Sequence, residues 1–100
     1  MNFETNVNSG QVNVTLSGKI YVDDAASLRE SLLEYVDQGY KNFHVSMDHV
    51  DYIDSSGLGV LVAVQKRVLE HQGQIVLSGL HGAVKEIFEL TRLTKVFQII

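Results

Sequence analysis

One hundred residues, 45% hydrophobic and 20% charged, are enough for one domain around a single core and leave no room for a second module. A formal net charge of −4, with eight scattered Lys and Arg, disfavours a nonspecific nucleic-acid or anionic-membrane surface, and the absence of cysteine removes disulfide and thiolate-metal chemistry. The N-terminus has no basic start or apolar signal core, and no apolar run reaches the roughly 18 residues of a membrane helix, so the expectation is a soluble, cytoplasmic chain.

Phe3 to Val7 and Gln11 to Ser17 read as two strands joined at Asn8-Ser9-Gly10, a hairpin turn. In the second strand Val12, Val14 and Leu16 alternate with Asn13, Thr15 and Ser17, the period of a sheet buried on one face. Gly18 interrupts the run, and Ile20 and Val22 are candidates to extend it. A helix then opens at Asp23-Asp24, either carboxylate being a suitable N-cap, with Ala25, Leu28, Leu32, Tyr35 and Val36 on one stripe and Gly39 ending it.

Phe43 to Val50 is a third strand. Leu58 to His71 has helical spacing and is expected to end near Gly73. Gln74 to Ser78 is a short buried strand, Val84, Ile87, Phe88 and Thr91 mark a third helix, and Val96 to Ile100 are consistent with a last strand. Strands alternating with helices over short connections imply an α/β domain spanning residues 1–100, with parallel pairing through right-handed crossovers. If successive crossovers step in one direction, all helices lie on one face of the sheet.

The densest chemistry lies in Tyr52-Ile53-Asp54-Ser55-Ser56-Gly57-Leu58-Gly59-Val60, where a strand gives way to a helix. Asp and Ser there are ordinary N-caps and Gly suits a tight turn. Three features exceed that structural need. Two hydroxyls follow the carboxylate where one cap would suffice. Gly57 and Gly59 each cost the helix about 1 kcal/mol relative to Ala. The run from Leu58 to Val64 is apolar almost all round, so it is either covered from both sides or partly a docking surface. A covalent phosphate suits such a corner, since the first helical N–H groups and the helix dipole favour an anion. Catalysis suits it less, because no base lies within the motif to activate a serine.

Ile53-Asp54-Ser55-Ser56-Gly57-Leu58-Gly59-Val60 resembles the phosphorylation motif of bacterial anti-sigma-factor antagonists of the STAS domain family. Weaker matches lie in Leu16-Ser17-Gly18, in Ala26-Ser27-Leu28-Arg29-Glu30 and in Val84 to Leu93, so the likeness spans essentially the whole chain. The resemblance implies a mostly parallel (β-α) superhelix with an N-terminal β-hairpin, strands in sequential order and helices on one face. It implies that the protein is a ligand and substrate rather than an enzyme. The unphosphorylated form would bind an anti-sigma factor that is also an ATP-dependent serine kinase, releasing the sigma factor. Phosphorylation at Ser55 would end binding, and a serine phosphatase would restore it.

On that reading Asp54 shapes the corner and Ser56 caps the helix or is a minor phosphosite. Gly57 and Gly59 permit close approach, Leu58 contacts the partner, and Tyr21, Asp23 and Asp24 form the rim. No cofactor or metal ligand is implied, and weak nucleotide binding stays open. The alternative is a STAS subunit of a signalling scaffold or a lipid-transport assembly that docks on an ATPase without a phosphorylation cycle.

Two departures stand out. Many antagonists carry Gly-Glu-Ile/Leu-Asp where this chain has Gly18-Lys19-Ile20-Tyr21, and Thr-Gly-Leu where it has Thr91-Arg92-Leu93. Arg92 lacks glycine's freedom at positive φ, so the third helix is expected to end differently. His44, His49, His71 and His81 show no metal-ligand spacing, with His44 on a strand and His71 near a helix end. Gly-x-Ser-x-Gly is absent, which argues against a hydrolase.

Overall fold

Alternation of apolar and polar residues decides which side of each strand faces the core. The computed structural model describes all residues 1–100 and contains β1 (Asn2–Asn8), β2 (Gln11–Ile20), α1 (Val22–Asp37), β3 (Asn42–Ile53), α2 (Ser55–Glu70), β4 (Gln74–Ser78), α3 (Gly82–Leu90), a 3-10 turn (Leu93–Lys95) and β5 (Gln98–Ile99). The five strands stand in sequential order, β1 antiparallel to β2 and the rest parallel.

Asn8 pairs with Gln11, so the hairpin loop is Ser9-Gly10, with φ of 52° and 80°. Two successive residues at positive φ are what a type I′ turn requires, and its twist matches that of the strands. Gly18 does not end β2. The strand passes through it to Ile20, with an irregularity against β3 between Gly18 and Lys19.

One face of the sheet is apolar. Val12, Val14, Leu16 and Ile20 of β2, Phe43, Val45, Met47, Val50 and Ile53 of β3, and Ile75 and Leu77 of β4 are all buried. They meet Leu28, Leu32 and Val36 of α1, Val60, Leu61, Val64 and Val68 of α2, and Val84 and Phe88 of α3 in one continuous cluster. Phe97, just before β5, closes the far end against Phe88 with ring centroids 6.1 Å apart. Each such side chain contributes about 1.5–3 kcal/mol by leaving water. A one-residue slip would turn a whole strand's apolar set outward, so this burial fixes the register.

The other face is open and mostly polar, as in the row Asn6, Asn13, His44, Val76, Gln98 running from β1 to β5, where Val76 is the one apolar member. All three helices therefore lie on one side, as the parallel crossovers imply.

Helix ends differ in places from the sequence expectation. α1 begins at Val22, so Val22 does not extend β2, and neither Asp23 nor Asp24 is the N-cap. Tyr21 takes that position, and Asp24 Oδ2, three residues on, accepts its backbone N–H at 3.0 Å. This is the returning half of a capping box. α3 ends at Leu90, and Arg92 adopts φ 60°, ψ 21°, the left-handed conformation expected of glycine. The terminal turn has the glycine geometry without the glycine, because Leu93 and Phe97 must turn back onto the core.

Candidate functional site

β2 and β3 run side by side to their C-terminal ends, where Ile20 is paired with Ile53. One more bond continues the ladder, from the Asp54 N–H to the Ile20 carbonyl at 3.1 Å. The chain then turns into α2. Asp54 is extended, with φ −94° and ψ 180°, and its Oδ1 accepts the Gly57 N–H at 3.1 Å. Its carbonyl accepts the first helical bond, from Leu58 at 3.0 Å. Asp54 is thus the N-cap, and Ser56 does not cap the helix.

Ser55 and Ser56 occupy the first two helical positions, where backbone N–H groups have no intrahelical partner. The Ser55 side chain is exposed, whereas Ser56 is half-buried beside a shallow groove of about 310 Å³ lined with Ala25, Ala26 and Arg29 of α1 and Gly59 and Ala63 of α2. Two histidines are engaged elsewhere, His44 on β3 bonded to Ser78 Oγ at 2.8 Å and His81 Nε2 at 2.9 Å from the Asp48 carbonyl, while His49 lies on β3 and His71 follows the last turn of α2.

The two glycines have different surroundings. A Cβ on Gly57 would stand 2.7 Å from Ile53 Cγ1 and 2.9 Å from Ile20 Cγ2, so the close approach this glycine permits is inward, onto the sheet. A Cβ on Gly59 would meet nothing within 4 Å. Leu58 and Val62 are half-buried against the core, and α1 covers one flank of α2. On the other flank Gln65 Nε2 reaches the Val96 carbonyl at 2.7 Å, and the Ile75 N–H donates to Gln65 Oε1 at 3.1 Å. The apolar girth of α2 is therefore largely spent inside the fold.

The rim contains a pair that the sequence reading missed. Tyr21 and Tyr52 lie with ring centroids 5.5 Å apart at 42°, and are 45% and 38% exposed. Lys19, opposite Tyr52 in the register, is exposed beside them. Among the expected rim residues, Asp23 is exposed while Asp24 is half-buried and turned to the Tyr21 N–H. Tyr52 had one usable signal, its place next to Ile53 in an alternating strand, which turns it away from the core. Arg29 had none, since its nearness to Ser56 depends on how α1 and α2 pack.

A family model described as STAS domain matches residues 2–100. The chain belongs to the STAS domain family. This STAS domain is 31% identical over 99 residues to the anti-sigma-B factor antagonist of Bacillus subtilis strain 168, a match covering 99% of this chain and 90% of that one. Its fold is also that of the anti-sigma factor antagonist SpoIIAA. The unphosphorylated structure of SpoIIAA aligns with a TM-score of 0.82 at 16% identity, over 99% of this chain and 87% of that chain. The phosphorylated Bacillus structure aligns with a TM-score of 0.81 at 17% identity, over 99% and 91%. No helix of the STAS domain is long and apolar enough to cross a membrane.

Proposed function

We propose that this STAS domain is an anti-sigma-factor antagonist that switches partners through Ser55. The observation that carries the reading is the exposure of Ser55, the first residue of α2, with the adjacent carboxylate already committed to the cap. The full-length relative named as an anti-sigma-B factor antagonist supports it.

In this reading the bare protein binds an anti-sigma factor with serine kinase activity and frees the sigma factor, in the cytoplasm. The surface would include Asp54, Ser56, Leu58, Gly59, Tyr21 and Asp23 around Ser55, with Gly57 and Asp24 shaping it from within. The kinase supplies ATP and the base. Ser55 Oγ forms a bond to the γ-phosphorus, the bond to the β-phosphate oxygen breaks, ADP leaves, and the kinase takes the hydroxyl proton. A serine phosphatase hydrolyses the ester to reset the switch.

Phosphorylation adds about −1.5 to −2 charges and three strong acceptors. On the free protein the N-terminus of α2 favours the anion, while the neighbouring Asp54 carboxylate, which already caps the helix, opposes it. Within a tight contact the group must lose water and find room. Each 1.4 kcal/mol or so of penalty is tenfold in affinity, so a few kcal/mol ends the complex without any change of fold.

The test is incubation with ATP and the anti-sigma kinase of the same organism, followed by peptide mass spectrometry and binding measurements. The expected result is one phosphate on Ser55, with Ser55→Ala binding persistently and Ser55→Asp failing to bind. Equal affinity of the two variants, or stable docking on an ATPase subunit with no phosphate acquired, would overturn the reading. The latter outcome would indicate a subunit of a scaffold or lipid-transport assembly.

A further inference from the structure

The two edges of the sheet are unequal. β5 is two residues long, whereas β1 has seven and pairs with β2 in unbroken register from Asn2↔Ser17 to Asn8↔Gln11, with no bulge. β1 contains no proline, lysine or arginine, and Glu4 is its one charged residue. Short edges, bulges, prolines and lysines are the usual means of keeping sheet edges apart, and β1 uses none of them. Its outer N–H and C=O groups are a template for another strand.

β1 is also complementary to itself about Thr5. In an antiparallel pair centred on that residue, Phe3 of each copy lies opposite Val7 of the other, Asn2 opposite Asn8, and Glu4 opposite Asn6. On the helix side this covers Val7, which is 41% exposed, with Phe3, which already packs against the core. On the open side each Glu4 meets an amide. Centring the pair on Glu4 instead would set the two carboxylates against each other, which is unfavourable across strands.

We propose that β1 pairs antiparallel about Thr5 with β1 of a second copy of this chain, joining two five-stranded sheets into one. β2 separates this edge from β3, which leads to Ser55, so both serine corners stay open in the dimer. The pairing stands whether or not the proposed partner switch does.

Sedimentation equilibrium across a concentration series reaching the millimolar range tests it. The mass should rise from 11.1 kDa toward twice that value. Asn6→Lys sets a cation opposite Glu4 in two symmetry-related pairs and should tighten the dimer by a few-fold to about tenfold. Asn6→Glu should loosen it by a similar factor, and Val7→Lys should leave a monomer. Both side chains are exposed, so thermal melts should show each variant folded. A wild type and an Asn6→Lys variant that both stay monomeric overturn the proposal. So does a dimer that responds alike to Asn6→Lys and Asn6→Glu, because its contact lies elsewhere.

Discussion

The carboxylate of Asp54 and the backbone N–H of Gly57 meet at 3.1 Å, so the residue in front of Ser55 is bound into the helix that Ser55 begins. Its negative charge compensates the N-terminus of α2, and the serine is held on a capped turn. Replacing Asp54 with Ala should cost about 1 kcal/mol of stability, within a range of about 0.5–2. Asp54→Asn should cost much less, because an amide oxygen caps as well. Urea unfolding midpoints of the two variants check this.

Gly57 and Gly59 should respond to alanine with opposite signs. At Gly57 the new methyl meets Ile53 and Ile20, both wholly buried, and overpacking of that kind costs about 1–3 kcal/mol. The gain of about 1 kcal/mol in helix propensity offsets only part of it. At Gly59 the methyl enters open space, so Gly59→Ala should stabilise the domain by up to about 1 kcal/mol. Denaturant titration of the pair reads both signs.

Arg92 holds a left-handed conformation at φ 60° that costs a non-glycine residue about 1–2 kcal/mol. Glycine removes that strain but gains freedom in the unfolded chain. Arg92→Gly should therefore stabilise by about 0.5–1 kcal/mol, seen as a rise in Tm of about 2–6 °C.

Gln65 is the one polar side chain buried in the core. Its amide joins three elements, accepting from Ile75 N–H at 3.1 Å and donating to the Val96 carbonyl at 2.7 Å. Gln65→Leu keeps the volume and orphans both backbone groups. Each unsatisfied group costs about 1–3 kcal/mol, so a loss of about 2–4 kcal/mol is expected, measured by chemical denaturation.

Much of the fold is legible because its signals are local. Val12, Val14 and Leu16 announce a half-buried strand, Ser9-Gly10 a tight hairpin, Gly39 a helix end, and Asp54-Ser55 a helix start. Each is a preference of a few neighbouring residues, and the structure follows all four. The misplaced features have two origins. The cap of α1 shifts by two or three residues within one local capping box, to Tyr21 rather than Asp23 or Asp24, whereas Gly57 is small because Ile53 and the distant Ile20 lie beneath it, and Arg92 bends left-handed because the chain beyond it must reach the core.

Sequence alone determined that this chain alternates strands with helices and that an acidic, doubly hydroxylated corner opens the second helix. Periodicity and capping chemistry act over a few residues, so they survive being read in one dimension. Only the tertiary structure decided that Ser55 is exposed, that Ser56 and Arg29 line one groove, and that the rings of Tyr21 and Tyr52 lie together. Those relations follow from the parallel register that sets Ile20 beside Ile53 and from the packing of α1 on α2, both fixed by the burial of the whole core.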